Sequence, residues 1–368
     1  MLNAQCSMLN VILVRHGRTT YNEQGRYQGS SDRSILTAKG HQNAYATGIA
    51  LQQFNFDAVY TSPLKRVQQT TQEIIAAFNS VQKQPPVFIE PKLTEIYMSD
   101  WEGLTYQEVK DTFAEDYDCW QSTPHLFTRD GVDYPVLNLY QQARIFWQQI
   151  LIKHRQGTVL VVAHGGTNKA LISTAIAIEP QYYHFLQQSN CGISNLQFTN
   201  GYNVAQLKYL NSTNHLEEFL PKLKAGKKGV RLLLVNNNTS LIDLENFFSS
   251  KISQQQLNFV LTDEANLSEY LANQLFQHNS ALKRLSITKD MFLNNWQEIL
   301  LQQQLIADKQ QKLLTGILLL ERKTIAQIIN QKFNSQLVFS LENYLTVIHY
   351  PDQESHLILQ GILPFDSL

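Results

Sequence analysis

The sequence has few cysteines and almost no net charge. Its 368 residues include Cys6, Cys119 and Cys191, which form neither a CxxC pair nor a zinc-binding pattern. Few and scattered cysteines are typical of a reducing compartment and argue against a zinc site. The 30 basic and 31 acidic residues leave a formal net charge of -1, which indicates neither a nucleic-acid partner nor a membrane partner.

Long hydrophobic runs are also missing. The longest apolar stretches, such as "TVLVVA" and "GILLL", have the length of a buried strand rather than of a membrane-spanning helix. The first residues, "MLNAQCSMLN", lack the basic region and the apolar core of a signal peptide. We therefore expect a cytoplasmic protein.

What the sequence does contain is a regular alternation of strand and helix patterns. Apolar, β-branched runs such as "NVILV" and "TVLVVAH" alternate with helical patterns such as "RVQQTTQEIIAAF". This alternation predicts an α/β fold, with βαβ units around a mostly parallel sheet. Residues 193 to 211, interrupted by "TNGYN", predict a closing hairpin.

The pattern starts again after a polar, basic stretch near residues 222 to 229. "GVRLLLVNNNTSLIDLENFF" parallels the first strand, turn and helix, and "TGILLLERKTIAQII" parallels "GTVLVVAHGGTNKALI". We predict two domains, 1–225 and 226–368, the second a smaller, degenerate α/β repeat of the first. The alternative is that two unrelated α/β modules look alike at this level.

The chemistry of the first module is not repeated in the second. Arg-His-Gly at 15–17 corresponds to Asn-Asn-Asn at 236–238, and His164 falls near Arg322. Asparagine can neither accept a phosphoryl group covalently nor offset its charge. We expect a non-catalytic second module, in which Arg322 and Lys323 could still hold an anion.

Cationic and titratable residues end three elements of the first module. Arg15 and His16 close the first strand, His164 closes "TVLVVA", and Arg66 lies in the first turns of a helix for which Ser62 or Thr61 suits the N-cap and Pro63 the first position. The carboxyl ends of parallel strands share one edge of a sheet, where ligands bind. Each residue alone is more often structural or solvated, but together they predict an anion site.

Four ordered stretches resemble the histidine phosphatase superfamily, also called phosphoglycerate mutase-like. They are "LVRHGRTTYNEQGRYQG", "VYTSPLKRVQQT", "LTEIYMSDWEG" and "VLVVAHGGTNKALI", and the resemblance covers about residues 9 to 220. It implies a three-layer α/β/α domain. By position it also implies roles for individual residues: His16 as phosphate-accepting nucleophile, Glu95 as proton donor, His164 as a further catalytic residue, and Arg15, Asn22, Arg66 and Gly165 as phosphate contacts.

General chemistry is consistent with these roles. A neutral imidazole is a competent nucleophile when its other ring nitrogen donates to a fixed acceptor. Arginines and a protonated His164 can stabilise the transferred phosphoryl group without a metal, so we expect no cofactor. Asp100 and Glu102 are the nearest rivals of Glu95 as the proton donor.

The segment after "DWEG" is compact and lacks the long insertions that cover the site in the mutases. An open site admits water, so we expect a phosphatase. The alternatives are a phosphoglycerate mutase and, outside enzymes, a regulatory binding protein that keeps the fold.

Two closer resemblances indicate different substrates. The tail "LKYLNSTNHLEEFLPKLK" is similar to that of metal-independent phosphoserine phosphatases, whereas "YPVLNLYQQARIFWQQI" looks like 2-carboxyarabinitol 1-phosphate phosphatases. Both substrates are small, carboxylated phosphomonoesters, and we predict phosphoserine ahead of the sugar phosphate. The candidate selectivity residues are Met98, His125 and His215; Met98 stands where the phosphoserine enzymes carry a histidine.

The predicted partner is therefore a small phosphorylated metabolite, with no nucleic acid and no membrane. A homodimer, or an intramolecular pairing of the two modules, is expected from the duplication. In that pairing the second module would bury an apolar face of the first. The sequence does not identify the physiological substrate or the oligomeric state.

Overall fold

The computed structural model describes residues 7–78, 84–98, 100–199, 204–224, 226–252, 257–277, 279–288, 292–330, 344–352 and 357–365. The chain divides into two compact units. The first contains the described residues up to Lys208 and also Thr213–Glu217; the second contains Tyr209–Ser212 and the described residues from Glu218 onward. The domain boundary predicted after residue 225 falls on a residue outside the described ranges.

The first unit is built from strands and helices that alternate along the chain. Its strands are β1 (Met8–Arg15), β2 (Ala58–Thr61), β3 (Val87–Ile89), β4 (Gly157–Ala163), β5 (Ile193–Thr199) and the first part of β6 (Gln206–Ser212). Its α-helices are α1 (Thr20–Gln24), α2 (Ala38–Leu51), α3 (Lys65–Phe78), α4 (Tyr106–Thr112), α5 (Ala114–Ser122), α6 (Pro135–Lys153) and α7 (Gly165–Ala175).

The sheet of this unit has the strand order β3-β2-β4-β1-β5-β6. Strand β4 is parallel to β1 and to β2, β3 is parallel to β2, and β5 is antiparallel to β1. Val162 pairs with both Val14 and Thr61, so β1, β2 and β4 end at one level. The predicted α/β class is confirmed, and one sheet edge collects the residues that follow these three strands.

Burial explains the layered arrangement. Ile12 and Leu13 are adjacent in β1 and both fully buried, although neighbouring side chains of a strand point to opposite faces. The central strand is therefore covered on both faces, as parallel sheets require. Helix α2 packs against α3, and α6 packs against α7.

The second unit is built in the same way. Its strands are β7 (Gly229–Asn236), β8 (Phe259–Thr262), β9 (Lys283–Ser286), β10 (Leu313–Leu320), β11 (Tyr344–Tyr350) and β12 (Ile358–Pro364). Its helices are α8 (Leu241–Ser250), α9 (Asn266–Phe276), α10 (Phe292–Gln310) and α11 (Arg322–Asn330).

The two sheets have the same topology. The second has the order β9-β8-β10-β7-β11-β12, with β7, β8, β9 and β10 parallel and β11 antiparallel to β7. The Asn237 amide donates to the Leu320 carbonyl at 2.8 Å, as the His16 amide donates to the Ala163 carbonyl at 2.9 Å. Asn237 therefore stands at the position of His16, and the duplication itself stays a prediction.

No helix within the described ranges is long and apolar enough to cross a bilayer.

Candidate active site

His16 lies immediately after β1, at the edge where the parallel strands end. Its side chain is 1% exposed, and its Nδ1–H donates to the Gly17 carbonyl oxygen at 2.8 Å. A carbonyl can only accept, so this bond places the proton on Nδ1 and leaves Nε2 with the lone pair. The fixed acceptor predicted for a nucleophilic imidazole is therefore supplied by the next residue.

The turn after β1 is held by two side chains from elsewhere in the unit. Asn190 donates its amide N–H groups to the carbonyls of His16 at 3.0 Å and Gly17 at 3.2 Å. The Gly17 amide donates to the Thr70 hydroxyl at 3.0 Å. The sequence analysis missed Asn190 and Thr70, because their contacts with the turn join positions far apart in the chain.

Asn22 lies next to this turn. It belongs to the capping box of α1, where its side-chain oxygen accepts from the Thr19 amide at 3.2 Å. The same oxygen accepts from Asn190 at 3.0 Å. Asn22 thus belongs to the network around His16, and its predicted contact with phosphate stays a prediction.

Arg66 is the second residue of α3 and is fully buried. Its Nη1 and Nη2 donate to the carbonyls of Ser31 and Gly29, each at 2.7 Å. Burial lowers the pKa of Arg66 to about 10, partly offset by Glu95 and Asp32, so the guanidinium stays charged at neutral pH. The helix begins at Lys65, two residues later than the predicted start at Pro63.

The loop that holds Arg66 is itself anchored. Gly29 has a φ of 51°, and a side chain there would collide with Glu102. Glu102 accepts from the amide of Ser30 at 2.7 Å. Asp100 forms an ion pair with Arg129 at 3.1 Å. These contacts give the two rivals of Glu95 structural partners of their own.

Arg15, the last residue of β1, points its guanidinium toward the start of α7. Its Nη1 donates to the Gln188 carbonyl at 2.8 Å. A side chain on Gly165 would place its Cβ 3.2 Å from the Arg15 Nε, so the glycine leaves room for the guanidinium. Burial lowers the pKa of Arg15, while the negative charge of Glu95 opposes that shift.

His164 occupies the N-cap position of α7 and is fully buried. Its Nε2 lies 2.8 Å from the Ser62 hydroxyl, and its ring centroid lies 5.3 Å from that of His16. Burial, followed by the nearby Arg66, His16 and Arg15, lowers the pKa of His164 well below 6.5, which favours the neutral ring in the free site. The protonated His164 predicted beside a transferred phosphoryl group stays a prediction.

Three buried side-chain nitrogen atoms at this sheet edge lack a hydrogen-bond partner among the described residues. They are Nε of Arg15, Nε of Arg66 and Nδ1 of His164. The two guanidinium nitrogens always carry a proton, and Nδ1 of His164 carries one when the Ser62 hydroxyl donates to Nε2. Buried donors are nearly always paired in folded proteins, because an unpaired one costs about 1–3 kcal/mol. Three such donors from three different elements form a site for an anion. The sequence prediction that these elements converge on one edge agrees with this geometry.

The side chain of Glu95 lies against the N-terminus of α7, beside this set of nitrogen atoms. Its carboxylate accepts from the amides of Gly166 and Thr167, each at 3.1 Å, and from the amide of Ile96 at 3.0 Å. The N-terminus of a helix stabilises a negative charge. The carboxyl group is thereby fixed close to Arg15 and His164, within the electrostatic influence of both arginines.

Lys169 and Tyr183 extend the site beyond the residues predicted from the sequence. Burial and the nearby Arg15 lower the pKa of Lys169 to about 8, with Glu95 opposing. Its ammonium lies 5.0 Å from the centroid of the Tyr183 ring. Lys169 comes four residues after Gly165, so the two lie on one face of α7. This spacing was the sequence signal that could have identified Lys169 as a site residue.

The candidate selectivity residues lie in three different environments. Met98 is 3% exposed. His125 carries a buried Nδ1 without a partner among the described residues. His215 pairs through Nε2 with the Thr47 hydroxyl at 2.9 Å, and burial lowers its pKa to about 4. A neutral His215 can offer a hydrogen bond to a substrate carboxylate but no positive charge.

Within the part of the chain that the structure describes, no three His, Cys, Asp or Glu side chains are grouped so that they could hold a metal ion.

Comparison with known families decides the relationship. The model of the histidine phosphatase superfamily (branch 1) matches residues 11–211, which is more than half of the chain. The chain belongs to the histidine phosphatase superfamily. The resemblance predicted from four ordered motifs is therefore confirmed, and the strands from β7 onward lie outside the match.

Curated members of the superfamily are similar to the first unit. A probable 2-carboxy-D-arabinitol-1-phosphatase of Arabidopsis thaliana is 43% identical over 188 residues, which are 51% of this chain and 38% of that protein. Phosphoserine phosphatase 1 of Hydrogenobacter thermophilus is 30% identical over 212 residues, 58% of this chain and 96% of that protein. The chain thus matches less than two fifths of the plant relative's length.

Solved structures are similar over the same part of the chain. A phosphoserine phosphatase of Entamoeba histolytica is 27% identical, covers 56% of this chain and 99% of its own, and has a TM-score of 0.49.

Proposed function

We propose that this chain is a phosphatase that hydrolyses small phosphomonoesters through a phosphohistidine on His16. The observation that carries the proposal is the set of three unpaired buried nitrogens, on Arg15, Arg66 and His164, at the sheet edge where the Nδ1–H of His16 donates to a carbonyl. Such a set holds the oxygens of a phosphoryl group in front of a nitrogen nucleophile.

In the first step, Nε2 of His16 attacks phosphorus and the bond between phosphorus and the ester oxygen breaks. The guanidinium groups of Arg15 and Arg66 and the Nδ1–H of His164 bind the phosphoryl oxygens as their charge develops. The leaving oxygen takes a proton from the carboxyl group of Glu95, which must enter this step protonated although it accepts three backbone N–H bonds in the free site. The Gly17 carbonyl, which accepts from Nδ1, stabilises the positive charge that the ring acquires.

In the second step, water attacks the phosphohistidine. Glu95, now a carboxylate, takes a proton from the water as the bond between phosphorus and Nε2 breaks. Inorganic phosphate leaves, and His16 returns to its neutral form. The two arginines supply the positive charge that a metal would otherwise supply, so we expect turnover without a metal ion.

The proposed substrates carry a carboxylate in addition to the phosphate. Phosphoserine is the first candidate, on the sequence features of the tail. A carboxylated sugar phosphate such as 2-carboxyarabinitol 1-phosphate is the second. It is favoured by the greater identity to the plant relative, 43% against 30% for the phosphoserine phosphatase.

The experiment is a substrate panel with inorganic phosphate as the readout. We expect phosphate release from phosphoserine and from carboxylated sugar phosphates. Conversion between 2- and 3-phosphoglycerate without phosphate release would instead show a mutase, and no turnover of any phosphomonoester would favour the binding-protein alternative. Activity lost with a chelator and restored by a divalent ion would contradict the metal-free step.

The nucleophile is tested by trapping the intermediate with labelled substrate. We expect an acid-labile label on His16, and His16→Ala should remove essentially all turnover. His41→Ala is a matched control, because His41 lies on α2, where it pairs with Glu73 at 2.7 Å. A label on any other residue would contradict the assignment.

A further inference from the structure

A cavity of about 540 Å³ opens at the carboxyl edge of the parallel strands in the second unit. Its polar and charged lining comes from the residues that follow β7 and β10. These are Asn237, Asn238, Glu321, Arg322 and Lys323. Leu267 of α9 contributes an apolar wall. A volume of this size is typical of small-molecule sites in proteins.

The register of the two sheets places this cavity at the counterpart of the candidate active site. Val162 of β4 pairs with Val14 and Thr61, and Leu319 of β10 pairs with Val235 and Thr262. Thr262 of β8 is therefore equivalent to Thr61 of β2, and one residue further along the chain Asp263 stands where Ser62 stands. Leu319 is equivalent to Val162, so two residues further along the chain Glu321 stands where His164 stands, next to Arg322, near which the sequence analysis placed it.

Two of the lining residues, Asn237 and Glu321, are joined by a hydrogen-bonded network. Asp263 is fully buried, and its carboxylate accepts from the Ser268 hydroxyl at 2.6 Å and from the Glu321 amide at 3.0 Å. The Asn237 side-chain amide donates to the same hydroxyl at 3.1 Å. The position of Asn237 is therefore fixed before any ligand arrives, which reduces the entropic cost of binding.

The charges of this cavity differ from those of the candidate active site. Asn236 and Asn237 replace Arg15 and His16, and two carboxylates, those of Asp263 and Glu321, replace Ser62 and His164. A phosphate dianion would therefore meet negative charge where the first unit offers donors.

The positively charged side chains of this cavity lie at its mouth. Arg322 and Lys323 are both exposed, and the Lys323 ammonium lies 3.4 Å from the Glu321 carboxylate. The lining thus combines two cations, one accessible carboxylate and two neutral amides. This combination suits a single negative charge accompanied by a hydrogen-bonding group.

We propose that this cavity binds a small monocarboxylate that also carries a hydroxyl or amino group. The ligand carboxylate is held by Arg322 and Lys323, and its hydroxyl or amino group is held by Glu321 and the two asparagine amides. This inference does not depend on the proposed phosphatase activity, because it concerns residues of the second unit alone.

The test is calorimetric titration of the full chain with glycerate, serine and inorganic phosphate. Arg322→Gln and Asn238→Asp both change exposed side chains, and each should weaken glycerate or serine binding about tenfold. The control Lys283→Gln removes an exposed cation of β9, outside the cavity, and should leave the affinity unchanged.

Three results would overturn the proposal. The first is that neither glycerate nor serine binds to the full chain. The second is that they bind with equal affinity to the wild type, Arg322→Gln and Asn238→Asp, which would place the ligand elsewhere. The third is phosphate binding that is lost in Arg322→Gln but kept in Lys283→Gln, which would make the cavity a phosphate site.

Discussion

The hydroxyl of Ser62 lies 2.8 Å from Nε2 of His164, although the two residues are 102 positions apart in the chain. When this hydroxyl donates to Nε2, the proton of the neutral ring is on Nδ1, the nitrogen without a partner among the described residues. One buried serine therefore decides whether His164 offers a donor or a lone pair to the bound anion.

Ser62→Ala should lower kcat by about ten- to a hundredfold while the fold is kept, because the ring can then adopt the wrong tautomer. Steady-state kinetics on phosphoserine would measure the change. Thr61→Val is the matched control, since it deletes the neighbouring buried hydroxyl, which pairs with Thr71 at 2.8 Å rather than with His164. Equal losses in both variants would indicate a general packing effect.

Glu95→Gln should affect substrates according to their leaving group. An alkyl phosphate needs a proton on its leaving oxygen, whereas the leaving group of p-nitrophenyl phosphate departs without one. We expect a loss of about 10²- to 10⁴-fold for phosphoserine and a much smaller loss in the first step with p-nitrophenyl phosphate. A burst experiment measures the rate of the first step separately from that of the second. If the rate of the first step falls equally for both substrates, Glu95 does not act as the proton donor and has only its structural contacts with α7.

Asn190→Ala should act on the nucleophile without removing a contact to phosphate. The variant removes the hydrogen bonds from Asn190 to the carbonyls of His16 and Gly17, so the imidazole loses part of its orientation. We expect kcat to fall about tenfold, with little change in the Kd of inorganic phosphate. Gln197→Ala serves as a control, because Gln197 pairs with Asn10 at 3.1 Å on the same sheet. A selective loss of phosphate affinity in Asn190→Ala would instead indicate a direct contact.

Acidification should destabilise the first unit through His215. Its pKa of about 4 in the folded state lies below the value near 6.5 expected in the unfolded chain, so the unfolded state binds the proton more readily. Stability is complete above pH 6.5 and declines as the pH falls toward 4. His215→Gln should reduce the difference in Tm between pH 7 and pH 5, measured by circular dichroism.

Part of that pH dependence will remain in His215→Gln. Burial also lowers the pKa of His154 and of His164, and both shifts have the same sign. An unchanged difference in Tm between the two pH values would show that His215 is exposed in solution.

The sequence predicted the strand ends well and the supporting contacts poorly. Arg15, His16 and His164 end β1 and β4, and apolar periodicity is enough to locate such ends. The bond between Asn190 and the Gly17 carbonyl could not be predicted, because it depends on how a distant loop returns to the sheet. The pKa of His164 was also out of reach, since burial sets it more strongly than the neighbouring charges do.

The second unit was predictable in topology but not in residue-by-residue detail. The pattern of "GVRLLLVNNN" aligns Asn237 with His16, and the matching amide bonds agree with this alignment. The counterpart of His164 was located only as near Arg322, because no motif marks the start of α11. Only the strand register identifies Glu321.

The His16 amide and the Asn237 amide make equivalent backbone hydrogen bonds, to the carbonyls of Ala163 and Leu320. This equivalence bears on whether the second unit could acquire a catalytic site. The surroundings of this strand end favour the opposite protonation state in the second unit. A histidine placed at position 237 would lie near the carboxylates of Glu321 and Asp263, which favour an imidazolium with no lone pair to offer. A single substitution would therefore not supply a nucleophile there, and catalysis in the second unit would require several coordinated substitutions.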